Sequence, residues 1–599
     1  MASPQLPSKE TLPHLIRRAL TEPRPDALVE RVNGTWTPMS TQRLLERVEN
    51  IACAIRDAGL QHGDRVALIA HDCIDWITCD FATFFAGCVV VPIFPTQAFD
   101  QTEYILKHAE AKLLFLDSTA LLGRFRDANI PLPKTVVFDS QGDDSLDAFE
   151  RHGAQIRAAH PEFPAAYEAE LKPDDLAVLI YTSGTTGVPK GVMLSHDNLG
   201  FDSQSSLEYG LESLRVGEDV LSVLPFSHIY EHTLIYIYLL AQVRYNICHD
   251  PNDLLTDLQE VRPVIMTAVP RIFDRVLAGV QAKAMAHGGL QAKLVPWALN
   301  VGREYMTAKH FGDGPTPVLS LQYAIAKRLV LDKLRKVLGL DRSEHLLSGS
   351  AALHVDVAMT FLGLGVPILQ GYGLTETSPI ITTSTMSYNK YGAVGRPIPG
   401  CEVMIAGDGE ILARGRNIMM GYYRDPEGTA TALEGGWFHT GDIGEVDSEG
   451  YLRITDRKKE VFKTATGKYV SPARVEAAIK RSIYVAQAMV VGDGRAHPAA
   501  LIAPNWDVLR HELDLPALTP EELIELPNVL AFMTAEVRKQ TADLATFEQI
   551  RRIALLAREF TVESGELSPS MKIKRRVVED RYKTAIDRAY AVDLHAQSA

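Results

Sequence analysis

The sequence predicts a layered α/β protein of two parts: a large N-terminal domain built on largely parallel sheets, and a smaller α+β domain after it. Three observations carry this. Amphipathic or apolar helix patterns alternate with short buried-strand patterns from residue 41 to 139, the signature of helices packed on parallel strands. From about residue 400 the texture changes to short strands and glycine turns, which marks a β-rich subdomain over 400–456. At Asp456-Arg-Lys-Lys459 a charged break precedes a new α+β pattern, so the boundary is placed at 456–458, giving domains 1–456 and 457–599. A chain of 599 residues is also too long for one hydrophobic core.

In chain order, 41–59 has helical periodicity and stops at Gly59, a C-cap signal. Residues 65–70 read as a strand, 74–87 as a helix and 89–94 as a strand; helix 101–108 and strands 113–117 and 135–139 follow. Residues 140–171 are polar and read as loop-rich. Strands are expected at 176–180, 191–194, 219–226 and 263–269. Residues 272–340 turn helical, and within them 318–340 interleaves apolar positions with Lys327, Arg328, Lys333, Arg335 and Lys336. Strands 344–347 and 366–369 restore the α/β pattern. In the last part, helix 471–482 opens on a Ser-Pro start, strand 486–491 follows, and helices are expected at 521–544 and 545–557.

Composition narrows the function. The net charge is −14 with acids dispersed, which argues against nucleic acid as the main partner. The six cysteines (53, 73, 79, 88, 248 and 401) form no metal-type spacing and fit a reduced, cytoplasmic setting. The start has no basic segment followed by an apolar core, so no secretory signal is expected. The uncharged run 81–99 is borderline for a span, but Gly87, Pro92 and Pro95 favour a buried helix followed by a buried strand.

Two blocks carry chemistry. The first is Tyr181-Thr-Ser-Gly-Thr-Thr-Gly-Val-Pro-Lys190, set between two expected strands. Backbone N–H groups freed by Gly184 and Gly187, the hydroxyls of Thr182, Ser183, Thr185 and Thr186, and the charge of Lys190 suit a phosphate. It is not a Walker A loop, which needs a longer glycine spacing and a helix behind its lysine. The second block is Gln370-Gly-Tyr-Gly-Leu-Thr-Glu-Thr377, with an aromatic face, a hydroxyl and a carboxylate in a glycine turn.

Together these blocks resemble the adenylate-forming superfamily, and in particular AMP-dependent acyl-CoA synthetases of the long-chain fatty acyl type. The resemblance extends from about residue 40 to 580. It implies that Thr182, Ser183, Gly184, Thr185, Thr186, Gly187 and Lys190 grip the pyrophosphate side of ATP. Gly349, Ser350 and Ala351, with Gln370, Gly371, Tyr372 and Gly373, line the adenine; many members carry a second glycine where this chain has Ser350. Thr375 meets the α-phosphate, and Glu376, with Thr185, holds Mg²⁺. Asp442, Ile454 and Arg457 take the ribose side. His228, in Leu224-Pro-Phe-Ser-His-Ile-Tyr230, flanks the acyl carboxylate. Lys572, in Leu567-Ser-Pro-Ser-Met-Lys-Ile-Lys-Arg-Arg576, falls on the catalytic lysine, with Met571 where many members have glycine and Lys574 as the rival assignment. Gly467 falls on a loop beside the thiol channel.

The implied reaction makes acyl-AMP from a fatty acid and ATP, then transfers the acyl group to coenzyme A, the C-terminal domain rotating about 456–458 between the two steps. The helical insert 272–340 with Val269-Pro-Arg-Ile-Phe-Asp274, and Val91-Pro-Ile-Phe-Pro-Thr96, point to the long-chain branch. A peptide-synthetase domain would place an aspartate near His228, and only Glu231 comes close. The alternatives are an acyl-AMP ligase serving a carrier protein and a non-catalytic nucleotide- or lipid-binding relative. Peripheral membrane association and homodimerisation stay open on the sequence.

Overall fold

The computed structural model describes residues 6–183, 188–287, 289–458, 460–562, 564–568 and 572–591. It divides into two compact units. The first holds residues 1–404, 412–440 and 446–453; the second holds 405–411, 441–445 and 454–599. This division is not a single cut at 456, since two short pieces of the glycine-rich stretch group with the C-terminal part.

The first unit contains two large sheets. One has nine strands: its parallel centre is Ile368–Gly373, His345–Ser348, Ile265–Ala268, Asp219–Ser222, Arg244–Ile247 and Leu28–Val32, in that spatial order. Antiparallel strands close it on both sides, Ile380–Thr383 and Arg396–Pro397 at one edge and Thr35–Met39 at the other. The second sheet has seven strands, ordered Gly421–Tyr422, Pro189–Ser195, Leu176–Ser183, Val89–Pro92, Arg65–Ile69, Ala111–Leu116 and Lys134–Val137. Its last five are parallel. The parallel strands are buried on both faces, which is why they read as unbroken apolar runs rather than alternating ones.

Between the sheets run helices that are apolar all round. Ile74–Phe85 buries eleven of its twelve residues, among them Trp76, Phe81, Phe84 and Phe85. Ile229–Leu240 is nearly as enclosed. The run 81–99 therefore resolves into the end of a buried helix and the buried strand Val89–Pro92, and among the described residues no helix is long and apolar enough to cross a membrane.

Two expectations need correction. The polar segment 140–171 is not loop-rich but carries the helices Leu146–Ala159 and Phe163–Ala169. Ser145 caps the first, and its face of Leu146, Phe149 and Gly153 packs on the helix Thr41–Asp57. A Cβ on Gly153 would lie 1.8 Å from the Asn50 carbonyl oxygen, so glycine is what permits this close crossing. The segment 545–557 is not a helix. It holds the strand Arg552–Leu555, which extends the antiparallel pair Val485–Val491 and Ala499–Pro504 into the three-stranded sheet of the second unit. The β-partners lie some fifty residues back in the chain, so local periodicity had no access to them.

Candidate functional site

In the first unit the residues of both chemical blocks sit at carboxyl ends of strands, where open α/β sheets place their ligand crevices. Strands Leu176–Ser183 and Pro189–Ser195 pair as an antiparallel hairpin, with Thr182 opposite Lys190 and Ser183 opposite Pro189. Gly184, Thr185, Thr186 and Gly187, at its tip, lie outside the described residues. The hydroxyl of Tyr181, which opens the block, shares a hydrogen bond with His108 Nδ1 at 2.7 Å. Burial raises the phenol and lowers the imidazole, so both groups are held neutral.

The second block continues the strand Ile368–Gly373 into a short 3₁₀ turn, Thr375–Thr377. A Cβ on Gly373 would lie 1.6 Å from the Pro379 carbonyl oxygen, so the chain can double back here only at glycine. Thr377 Oγ1 accepts from the Leu374 N–H at 2.9 Å and braces the turn. Glu376 is thereby held with its carbonyl oxygen accepting from Met419 N at 2.8 Å and its carboxylate accepting from the Tyr422 hydroxyl at 2.9 Å.

Tyr422 is the residue that joins the two blocks. It lies on the edge strand Gly421–Tyr422, opposite Val192 of the hairpin. The Lys190 ammonium stands 4.8 Å from its ring centroid, and the Glu376 carboxylate accepts a hydrogen bond from its hydroxyl. Burial first, and the Glu376 charge second, push the phenol far above its ordinary range, so it stays a donor. Lys190 also pairs with Asp425 Oδ2 at 2.7 Å. Asp425 caps the helix Pro426–Ala432, accepting from Gly428 N at 2.8 Å, and the Lys190 hydrogen bond holds its carboxyl below the usual range. Tyr422 and Asp425 were not singled out from the sequence. The signal available was Tyr422-Tyr-Arg-Asp-Pro426, an Asp-Pro helix start, but nothing local ties it to a lysine more than two hundred residues away.

The loop after strand His345–Ser348 brings Gly349 against Tyr230: a Cβ there would meet the ring at 2.7 Å. Ser350 sits at φ +66°, the left-handed region that glycine occupies without strain. Glycine would hold this turn without that cost. Ala351 is exposed, Gln370 donates weakly to the Ala393 carbonyl at 3.4 Å, and Tyr372 is buried at the end of its strand.

His228 is the N-cap of helix Ile229–Leu240, its Nδ1 accepting from Tyr230 N at 3.2 Å. That bond leaves Nε2 as the protonated nitrogen of the neutral ring. Glu231, the third residue of the helix, is fully buried and accepts from the Tyr245 hydroxyl at 2.5 Å. Burial pushes its carboxyl up to about 8, so it is a neutral core group and not a carboxylate presented to a ligand.

The second unit carries its own set. Asp442 is buried and receives the Arg457 guanidinium at 3.2 Å. The neighbouring Gly441, at φ +72°, donates its N–H to Glu410 at 2.9 Å, and Glu410 also receives Lys458 at 2.9 Å. Ile454 lies on the strand Leu452–Arg457 that leads to Arg457. Gly467 turns at φ +80° with its N–H on the Thr464 carbonyl at 2.8 Å. Lys572 is exposed; Ser568 N donates to its carbonyl at 2.7 Å and its own N–H reaches Ser568 Oγ at 3.0 Å. Met571 lies outside the described residues. Just beyond, Arg575 is clamped by Glu476 at 2.7 Å and Glu460 at 3.1 Å, which anchors the segment that bears Lys572.

The AMP-binding enzyme family matches residues 15–423, and the AMP-binding enzyme C-terminal domain matches 459–593. A Mycobacterium bovis protein named long-chain-fatty-acid–CoA ligase FadD15 is 33% identical over 566 residues, covering 93% of each chain. The human long-chain-fatty-acid–CoA ligase ACSBG2 is 30% identical, covering 94% of this chain and 90% of its own. Among solved structures, the adenylation domain of a Mycobacterium chelonae carboxylate reductase superposes with a TM-score of 0.75 at 23% identity, covering 98% of this chain and 92% of that one. An anthranilate CoA ligase holding anthranoyl-AMP superposes with a TM-score of 0.73 at 20% identity, covering 97% and 99%. Two matched domains in the order found here, and relatives similar from end to end, place the chain in the family of AMP-binding, adenylate-forming enzymes.

Proposed function

We propose that this chain is an ATP-dependent long-chain fatty acid–CoA ligase. The observation that carries the reading is the cation and carboxylate that the fold sets around one phenol, Lys190 and Glu376 on Tyr422, beside the hydroxyl-rich hairpin. Curated relatives named as long-chain fatty acid–CoA ligases, similar over nearly the whole length, supply the substrate class.

A carboxylate oxygen of the acid attacks the α-phosphorus of ATP; the bond to the bridging oxygen breaks and pyrophosphate leaves. Both reactants are anions, so the protein's task is to align them and offset their charge. The hairpin 182–190 takes the pyrophosphate side, with Lys190 aimed by Asp425 and Tyr422. Thr375 donates to the α-phosphate. Adenine lies along Gly349–Ala351 and Gln370–Gly373, and the ribose on Asp442, with Ile454 and Arg457 beside it. Lys572 offsets charge growing on the α-phosphate. In the second step the CoA sulfur attacks the acyl carbon, AMP departs and the thiol proton is released; the family resemblance assigns Gly467 and His228 to this step.

Mg²⁺ fits the residues present. Glu376 offers a carboxylate with oxygen capacity beyond its one bond from Tyr422. That suits an ion held by one carboxylate, a hydroxyl such as Thr185, and nucleotide phosphates, where it would neutralise phosphate charge.

Acid-dependent exchange of pyrophosphate into ATP tests the first step, and thioester formation over a chain-length series tests the second. Exchange without CoA consumption would move the acceptor to a carrier protein. The Lys572→Ala variant is expected to lose adenylate formation by about a hundredfold or more while retaining thioester formation from supplied acyl-AMP. Equal loss of both steps would remove Lys572 from its role.

A further inference from the structure

The basic-apolar stretch 318–340 is left unused by the chemistry above. In the structure it forms the helix Pro317–Ala326, a π-helical turn Lys327–Leu331 and the helix Asp332–Val337. Its inner side is an ordinary core face. Ala326 and Leu331 are fully buried, and Tyr323 stacks on Tyr305 with ring centroids 4.2 Å apart while donating to the Gly363 carbonyl at 3.1 Å. Its outer side is apolar as well. Val318 is 66% exposed, Leu321 64%, Ile325 44% and Leu329 53%. Their spacing of three, four and four residues sets them in one helical stripe. A surface helix is expected to be polar on its outer face, so an apolar stripe there marks a contact.

The charges beside the stripe say what the contact is. Between residues 315 and 340 there are five bases and one acid, in a chain of net charge −14. The acid, Asp332, is paired with Lys327. Arg335 is committed inward to the Leu340 and Ser343 carbonyls at 2.9 and 2.8 Å. Arg328, Lys333 and Lys336 are exposed. A second copy meeting this face symmetrically would set those cations against their own counterparts. An anionic bilayer meets both features: the side chains of the stripe enter the headgroup–acyl boundary, and the cations meet lipid phosphates.

We propose that the outer face of 318–336 docks this chain, in the plane of the interface, on an anionic lipid surface. The proposal rests on the fatty acid reading only for its purpose, since such a substrate partitions into membranes. Binding itself needs neither acid nor ATP.

The test is flotation of the full-length protein with phosphatidylcholine vesicles, with and without about a quarter phosphatidylglycerol. Anionic vesicles should carry about tenfold more protein than neutral ones, and less as salt rises. The double variant Leu321→Glu, Leu329→Glu should bind about tenfold less, and Lys333→Gln with Lys336→Gln should lose most of the preference for anionic lipid. A control, Val216→Glu, at another exposed apolar position, should bind as the parent does. Parent-like binding by the double variant, equal binding to neutral vesicles, or equal loss in the control would overturn the proposal. So would a parent dimer that the double variant converts to monomer, which would assign the stripe to a second copy. Pyrophosphate exchange with a short soluble acid should be unchanged in the double variant. Absence of exchange in the parent would strike the fatty acid reading and leave the flotation result standing.

Discussion

Helices Ile229–Leu240 and Pro317–Ala326 look alike as sequences. Each is short, rich in Leu, Ile and Tyr, and without a clear polar side. The fold uses them in opposite ways. The first lies beneath the nine-stranded sheet with every face covered, and even its polar residues are absorbed: His232 and Tyr236 meet each other and Asp80, all three out of contact with solvent or nearly so. The second covers the core with one side and leaves Val318, Leu321 and Ile325 in water. Apolar composition says that a helix needs company. Whether the fold supplies all of it depends on how many elements the topology brings to that helix.

The largest expected effect tests this directly. Ile237 is fully buried on the first helix, so Ile237→Glu places an unpaired charge in a closed apolar site, which costs more than about 4 kcal/mol. Loss of soluble protein, or a melting transition lowered by well over ten degrees, is the expected reading. A variant that melts like the parent would mean the helix is not enclosed.

What could be read without coordinates divides along the same line. The hydroxyl-rich hairpin was legible because its strands and lysine are contiguous, and the pairing of Thr182 with Lys190 is a local event. The parallel sheets were legible as a class because strands buried on both faces leave unbroken apolar runs. Tyr422 and Asp425 were not legible: their meaning comes from Lys190 and Glu376, which only the closing of the seven-stranded sheet by Gly421–Tyr422 brings near. The strand Arg552–Leu555 was missed for the same reason, its identity residing in its neighbour Ala499–Pro504. For 318–340, periodicity named a helix and the lysines were visible, but exposure of its apolar side was not.

A middle-sized effect sharpens the comparison through pH. Burial pushes Glu231 on the enclosed helix up to about 8, and nearby Asp72 up to about 7, against about 4 to 4.5 in the unfolded chain. Both are raised acids, so the native state holds protons that the unfolded state has given up. Their contribution is intact below about pH 4 and falls away as pH rises towards 8. In Glu231→Gln the amide oxygen can still accept from Tyr245, and the pH-dependent loss from this position disappears. The variant's melting temperature relative to the parent should therefore climb between about pH 5 and about pH 9, by a few degrees in total. A difference that stays flat across that range would show Glu231 to be ionised and solvated. The exposed helix has no counterpart, since no acid stands between Pro317 and Ala326.

The smallest effect is expected at Leu321, and its smallness is what makes it informative. Leu321→Glu adds a charge to a helix just as Ile237→Glu does, yet the side chain is already mostly in water. It removes no buried apolar area, and glutamate is as good a helix former as leucine. The stability in buffer should stay within about 0.5 kcal/mol of the parent's, with the melting temperature nearly unchanged. The pair of results separates two causes of apolar sequence: a residue kept for the core fails when charged in any solvent, and a residue kept for a surface contact fails only when that contact is present. If Leu321→Glu destabilises the isolated protein by several kcal/mol, the stripe is a covered core face and the contrast between the two helices collapses. If it leaves stability untouched and changes only vesicle binding, folding is excluded as the reason leucine stands at this position.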